Sequence, residues 1–263
     1  MLNLEEPTMP SQVLKKVFDE AAQLSGIPVI FRASDSLQNQ ATLKMARNGE
    51  LAHIIQYHTK YAMQKEYLGT FQAGFILRTF GANQNNRFEV GSTPLGRDEG
   101  QKLVSEHFQR LGINLPDNKL RQFASAIYDG LGVQIRSVPV GLRIDSWILT
   151  NFPELKDQQK AIIHSQLEEN TQTLSAEIRK TTPKKHYDSS LTINATFASF
   201  WAKAWGLQPL EAPYALAGFT SKSELLIKAF HETMLDADHD KELLQKWIDI
   251  LGVKSWYKLT EYK

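Results

Sequence analysis

The dipeptide Asn48-Gly49 is the strongest local fold signal in this sequence, because it separates two runs that read as extended strands, 42–47 and 50–57. Asn-Gly is the preferred pair in a two-residue β-hairpin turn, since both residues tolerate positive φ. The register imposed by such a turn pairs Arg47 with Glu50, Met45 with Ala52, and Leu43 with Ile54. We therefore predict an antiparallel hairpin over residues 42–57, with an ion pair at its turn and one apolar face.

The rest of the chain is predicted to be mainly helical. After a first helix that starts at Pro10-Ser11 and ends at Gly26, residues 28–31 read as a short strand. Apolar residues recur at helical spacing in the following segments: 59–80, 98–111, 117–130, 140–150, 153–180, 191–205, 221–235 and 239–251. Two stretches break the pattern, a predicted long loop at 81–97 and a linker-like segment at 181–190. The predicted fold class is α+β, predominantly helical, with a small N-terminal antiparallel sheet.

The length of 263 residues fits one or two domains at about 150 residues each. The mixed pattern before residue 150 gives way to a purely helical one after it. We therefore predict a mixed α/β domain at 1–150 and a helical C-terminal region at 151–263, which we expect to pack against that domain.

The composition excludes several kinds of chemistry. There is no cysteine, so the chain has no disulfide, thiolate metal site or cysteine nucleophile. Lysine and arginine number 30 against 29 acidic residues, a balance that argues against binding of nucleic acid or membranes through bulk charge. The chain also lacks an HExxH motif, a phosphate-binding glycine loop and a Gly-x-Ser-x-Gly nucleophile elbow. We therefore expect no metal and no cofactor, and we favour a protein that is not an enzyme.

Targeting signals are weak in this sequence. Residues 1–10 carry two acidic residues and no basic segment of the kind that begins a secretory signal. The apolar stretch 71–77 is much shorter than the about 20 residues needed to span a bilayer. We expect a cytoplasmic protein that does not associate with membranes.

Residues 67–77, YLGTFQAGFIL, are the segment on which a family comparison depends. With its preceding helix, strand and hairpin, this segment resembles the active-site helix of the ImmA/IrrE-type zinc peptidases, over residues 11–150. That helix carries His-Glu-x-Gly-His in the family. Here Phe71 and Phe75 stand at the histidine positions, Gln72 at the glutamate and Gly74 at the glycine. Asp145 stands where some related proteins have the acidic third ligand.

The resemblance implies a pseudo-peptidase. Phenylalanine cannot ligate zinc and glutamine cannot take a proton from a metal-bound water, so the family's chemistry is lost together with its motif. Aromatic packing would then fill the former metal cleft. The alternative is that 59–80 is an unrelated buried helix with Phe71 and Phe75 in the core. Both interpretations exclude a hydrolytic zinc site on this helix.

Three functional hypotheses follow. The first is a non-catalytic binding or adaptor protein in a protein or nucleoprotein complex, with bacterial stress or defence implied by family analogy alone. Its candidate binding residues are Phe71, Gln72, Phe75 and Asp145.

The second hypothesis is a hydrolase with a dispersed active site around Gln72, Gln134 and Asp145. The third and weaker hypothesis is nucleic-acid binding through a local basic patch that consists of Arg87, Arg97, Arg179, Lys180, Lys184 and Lys185. A solvated helix end also explains the last four residues, and we favour that interpretation. The partner and the oligomeric state stay open.

Overall fold

The computed structural model of this protein describes residues 11–47 and 49–262. Its helices are α1 (Gln12–Ser25), α2 (Lys65–Gly81), α3 (Pro94–Arg110), α4 (Asp117–Asn151), α5 (Lys156–Gln172), α6 (Ala176–Thr181), α7 (Lys184–Trp205), α8 (Ala212–Leu216), α9 (Thr220–Glu232) and α10 (Asp240–Leu251). Its strands are β1 (Val29–Ser34), β2 (Ala41–Lys44), β3 (His53–His58), β4 (Phe88–Ser92) and β5 (Tyr257–Glu261). The predicted α+β, predominantly helical class is confirmed.

The chain forms two compact units. The first contains the described residues up to 81 together with 144–162, and the second contains 82–143 with 163–262. The boundary predicted between residues 150 and 151 falls at the end of α4 and stays a prediction. Among the described residues, no helix is long and apolar enough to cross a membrane.

The first unit contains a three-stranded sheet in the order β1-β3-β2. Strands β2 and β3 are antiparallel, as predicted for residues 42–57, whereas β1 runs parallel to β3. The sheet is therefore mixed. Strand β2 follows β1 in the sequence but lies on the other side of β3. The Asn-Gly turn predicts the pairing of β2 with β3 and does not indicate where β1 lies.

The predicted register of the hairpin is wrong by one residue, since Leu43 pairs with Ile55 rather than with Ile54. Residues 45–47 and 49–52 belong to no strand, and the backbone N–H of Ala46 donates to Nδ1 of the buried His53 instead of extending the ladder. A slip of one residue exchanges the two faces of a strand, and here it buries Ile55 completely.

A tight turn does lie where it was predicted. The Glu50 N–H donates to the Arg47 carbonyl at 2.9 Å, and Gly49 has φ of +86°. Asn48 and residues 1–10, on which the turn and targeting predictions partly rest, lie outside the described residues. The Glu50 carboxylate forms an ion pair with Lys44 and accepts a hydrogen bond from the backbone N–H of Arg47.

Two glycines of α2 allow close helix packing in the first unit. A Cβ atom on Gly69 would lie 2.7 Å from Cδ2 of Leu14 in α1, and one on Gly74 would lie 2.5 Å from Cγ2 of Ile144 in α4. Real Cβ atoms essentially never approach this closely, so the two positions require the missing side chain. Helix α2 therefore lies tightly between α1 and the 144–151 part of α4.

The prediction of a long loop at 81–97 is wrong. Residues 88–92 form β4, which pairs antiparallel with β5, and α3 begins at Pro94 with Thr93 as its N-cap. The strand pair joins segments more than 160 residues apart, as Val90 opposite Leu259 illustrates. No local pattern indicates such a partner, so the Asn- and Gly-rich composition was misleading.

Three helix boundaries of the sequence analysis are also corrected. The segments 117–130 and 140–150 form one helix, α4, with Pro139 inside it. The single helix predicted at 153–180 is divided between a short 3₁₀ helix at 153–155, α5 and α6. The predicted linker 181–190 is mostly the start of α7, because Pro183 occupies the N-cap position and a proline there costs no helical hydrogen bond.

Helix α7 is the centre of the second unit's core. It carries 14 buried residues, which lie on all sides of the helix rather than on one stripe. Trp201 from this helix, Trp247 from α10 and Trp256 before β5 are all completely buried. These three tryptophans are core residues of the second unit.

Candidate functional site

Three of the four candidate binding residues, Phe71, Gln72 and Phe75, lie on α2 with half-buried side chains. The ring of Phe71 is 5.9 Å from that of Tyr67 and 5.5 Å from that of Phe75, centroid to centroid. The spacing of four residues places these rings in a row along one face of the helix. We call Tyr67, Phe71 and Phe75 the aromatic row; it includes both positions where the peptidase motif has histidine.

Asp145, the fourth candidate, is connected to this row through Tyr67. The phenol of Tyr67 donates a hydrogen bond to Oδ1 of Asp145 at 2.8 Å. The Nε2 atom of Gln159 donates to the same oxygen at 2.9 Å and lies 3.0 Å from the Asp145 carbonyl oxygen. The structure therefore brings Asp145 to the end of the aromatic row.

Local packing explains why these residues meet. Because Gly74 lies directly against Ile144, the residue after Ile144 is carried to the same face of α2. At the start of α2, the backbone N–H of Tyr67 donates to Oε1 of Gln158 at 3.1 Å. That bond satisfies one of the N–H groups that a helix leaves free at its first turn.

Burial dominates the electrostatics of the site. Asp145 is 2% exposed, and this burial raises the pKa of its carboxyl to about 7, against the opposing effect of the hydrogen bonds from Gln159 and Tyr67. Burial and the neighbouring Asp145 charge raise the pKa of Tyr67 well above its ordinary value. Tyr67 therefore remains a hydrogen-bond donor throughout the neutral range, whereas Asp145 exchanges its proton there.

The amides named with Asp145 as a dispersed active site lie in different surroundings. Gln72 neighbours Phe71 on α2 in the first unit. Gln134 belongs to the second unit, where its Nε2 donates to Oδ1 of Asn194 on α7 at 3.3 Å. Asn194 in turn donates to Oγ1 of Thr173. Gln134 is thus part of a polar network in the core of its own unit.

Two of the six candidate basic residues lie over a pair of aromatic rings in the second unit. Arg97 is 5.5 Å from the centroid of Tyr128, and Nζ of Lys185 is 4.1 Å from that of Trp256. The two rings are 5.9 Å apart. The structure therefore brings together one residue from each of the two predicted basic segments.

Acidic and backbone groups accompany most of the basic residues. Arg97 forms an ion pair with Asp129 at 3.0 Å, and Lys184 forms one with Asp188 at 2.6 Å. Nε of Arg87 donates to the carbonyl oxygen of Ala82. Arg179 and Lys180 lie in the last turn of α6. The positive charge along these segments is therefore partly compensated within the protein.

The histidines offer no metal centre in the part of the chain that the structure describes, where no group of three or more histidine or acidic side chains could hold an ion. The hairpin register predicted from the sequence would place His53 opposite Lys44, but Lys44 pairs with Ile54. His53 is buried, and burial lowers the pKa of its ring.

Tyr67 and Gln159 are site residues that the sequence analysis missed as such. Tyr67 belongs to the apolar stripe of its helix, and nothing in that stripe indicates a buried acceptor. Gln159 stands in the polar start of α5 but is only 1% exposed. The unusual signal in the sequence is a single acidic residue, Asp145, within the apolar stretch at 138–149.

Comparison of this chain with protein-family models, with curated proteins and with solved structures gives no match.

Proposed function

We propose that this protein is a non-catalytic binding protein that acts through a protein partner. The observation that carries the proposal is the aromatic row on α2 with Asp145 hydrogen-bonded at its end. A catalytic carboxylate must reach a substrate or a metal. The Asp145 carboxylate is buried and accepts two hydrogen bonds from this chain, so it acts as a packing and positioning group.

The proposal includes the pseudo-peptidase interpretation. Asp145 lies beside the same helix that carries Phe71, Gln72 and Phe75, an arrangement consistent with a peptidase site whose ligands and base have been replaced. By that analogy alone the protein belongs to the bacterial cytoplasm and to stress or defence. The aromatic row then occupies the space that a metal and its water need in an active enzyme.

Metal analysis and proteolysis assays test the absence of catalysis. The purified protein is loaded with zinc, desalted and assayed for bound metal, and peptide cleavage is measured with and without a chelator. The proposal expects much less than one zinc per chain and no cleavage above the buffer control. Stoichiometric zinc, or cleavage that the chelator abolishes, would overturn it.

Exposed apolar side chains provide the matched variants for a binding test. Met63 is 82% exposed in the first unit, and Leu216 is 91% exposed in the second. Single exposed apolar residues occur on most proteins, so each is tested against an exposed neighbour: Met63→Ser against Ala62→Ser, and Leu216→Ser against Ala215→Ser. A partner cross-linked to the wild-type chain should be lost with one apolar substitution and kept with its control. Retention in all four variants would exclude these residues from the interface.

Nucleic-acid binding is a second candidate, favoured by the two cations over Tyr128 and Trp256. Phosphate contacts release counterions, so binding to a duplex should weaken steeply as salt concentration rises. The double substitution Lys184→Glu and Lys185→Glu should abolish such binding. An equal charge change at exposed residues elsewhere in the second unit, Lys203→Glu with Lys228→Glu, is the control. An equal loss of binding in the two double variants, or binding that does not depend on salt concentration, would exclude the basic patch as the nucleic-acid site.

A further inference from the structure

We propose that Tyr67, Asp145 and Gln159 form a proton-controlled clasp, which binds a proton near neutral pH and thereby sets how tightly α2 is held in the first unit. This inference is independent of the proposed function. It depends on the hydrogen-bond geometry of the three side chains, on their burial and on the charges around them.

The geometry provides hydrogen bonds for both protonation states of Asp145. In the charged state, Oδ1 accepts from the Tyr67 phenol and from Nε2 of Gln159. A protonated carboxyl needs an acceptor instead. Oε1 of Gln159 is buried and has no hydrogen-bond partner. Rotation of the Gln159 amide gives up the bond from Nε2 to the Asp145 carbonyl oxygen and brings Oε1 toward the carboxyl, so the neutral acid donates to Oε1 while Tyr67 still donates to the carboxyl.

Among the residues that the structure describes, no cation forms an ion pair with the Asp145 carboxylate. The groups that face the carboxyl are the Tyr67 phenol from α2 and the Gln159 amide from α5. On α4 itself, Arg143 pairs with Asp240. The charged residues near the contact points on the two partner helices form no ion pair with Asp145: Lys65, Glu66, Lys156, Asp157 and Lys160. Desolvation therefore outweighs every attractive contribution, and this places the pKa of Asp145 at about 7.

Protonation of Asp145 stabilises the folded chain. The folded chain holds the Asp145 proton more tightly than the unfolded chain, whose aspartate pKa is about 3.9. Protonation therefore favours the closed clasp, and deprotonation leaves a buried charge with two neutral donors. Above about pH 7 the contact between α2 and the 144–159 segment is weakened, and helix α2 opens more often.

Carbon NMR of the full-length protein, with ¹³C-labelled aspartate carboxyls, tests the proposal directly. The resonance that Asp145→Asn removes should titrate with a midpoint near pH 7. Tyr67→Phe removes one donor to the carboxylate and should raise this midpoint by about half a pH unit or more. That shift also assigns the resonance if Asp145→Asn does not fold.

Amide hydrogen exchange of α2 measures the consequence. At each pH the wild-type rate is divided by the rate of Asp145→Asn or, if that variant does not fold, by the wild-type rate of helix α10 in the second unit, because either ratio cancels the intrinsic pH dependence of exchange. The ratio should rise about threefold or more as the pH passes the carboxyl midpoint. A midpoint below about pH 5 or above about pH 9, or a constant ratio across the midpoint, would overturn the proposal.

Discussion

The phenol of Tyr67 donates to the carboxylate of Asp145 at 2.8 Å, although 78 residues separate them in the sequence. This single bond connects the aromatic row of α2 to the end of α4. It also explains how a carboxyl with no ion pair is accommodated in the interior of the first unit.

Removing this donor should destabilise the protein. Tyr67→Phe leaves the ring in place but takes away one of the two donors to a buried carboxylate, at an expected cost of about 1–3 kcal/mol in the free energy of unfolding at pH 8. Denaturant titration monitored by circular dichroism measures it. Tyr61→Phe, at a half-exposed tyrosine of the 3₁₀ helix Thr59–Gln64, is the control and should change stability much less. Equal effects of the two substitutions would contradict the structural role of the Tyr67 hydroxyl.

Stability should depend on pH through Asp145. Because burial raises the pKa of this carboxyl to about 7, its contribution to the free energy of unfolding is greatest at acid pH and falls as the pH rises toward 7. Asp145→Asn removes this titration. The stability of the wild-type protein relative to the variant should fall between pH 5 and pH 8, by an amount on the order of 1–4 kcal/mol. A wild-type minus variant difference that stays constant between these two pH values would show that Asp145 does not titrate there.

The close approach of α2 and α4 should tolerate no side chain at residue 74. In Gly74→Ala the new methyl group meets Ile144, which is 1% exposed, so overpacking should cost about 1–3 kcal/mol. Ile144→Ala in the same chain should couple to this substitution, so that the double variant costs less than the sum of the two single variants, because alanine lacks all three atoms that the new methyl group meets. Thermal unfolding of the two single variants and the double variant measures this coupling.

Gly81 provides the matched control on the same helix. Nothing lies within 4 Å of a Cβ atom built there, and its φ is not positive. Gly81→Ala should therefore be neutral or stabilising by about 0.4–1 kcal/mol. A cost at Gly81 equal to that at Gly74 would point to backbone entropy rather than to the Ile144 contact.

The sequence predicted the elements of this fold better than their pairing. Helical periodicity identified α1, α9 and α10 because each buries one face, and it identified α2 although the buried residues of that helix lie on several sides. The hairpin was found from its turn, but its register was not, because the Ala46 N–H donates to the His53 ring and the ladder ends at the pair Lys44–Ile54. The β4–β5 pair was missed for a different reason: its two strands are short and distant in sequence.

The residues of the candidate site were predicted only in part. Spacing along one helix placed Phe71 and Phe75 on the same face of α2, and the resemblance selected Asp145. Neither identified Gln159, because its burial depends on the packing of α5 and not on any local pattern. The raised pKa of Asp145 likewise comes from burial of its carboxyl, which only tertiary structure determines.

The second unit contains a buried ion pair that should be costly to break. Nη1 of Arg143 lies 2.7 Å from Oδ1 of Asp240, with side chains 1% and 5% exposed, and Nη2 donates to the Thr233 carbonyl. Asp240→Ala leaves a buried guanidinium without its carboxylate, at an expected cost of about 3–5 kcal/mol. Glu232→Ala, which breaks the exposed Lys228–Glu232 pair, should cost at most about 1 kcal/mol. Similar costs, measured by denaturant titration, would contradict the importance of burial.

Rebuilding the peptidase motif tests the resemblance itself. The triple substitution Phe71→His, Gln72→Glu and Phe75→His restores His-Glu-x-Gly-His on α2, and Tyr67→Phe frees the Asp145 oxygen that the phenol now occupies. If α2 and Asp145 keep the geometry of the zinc site in those peptidases, this variant should bind one zinc ion. Two imidazoles and a carboxylate are a typical catalytic ligand set. Adding Asp145→Asn should weaken zinc binding by about tenfold or more, because the anionic ligand is lost. Calorimetric titration at pH 8 measures both affinities. Equal affinity with Asp or Asn at residue 145, or no binding beyond that of the wild-type chain, would favour an unrelated buried helix.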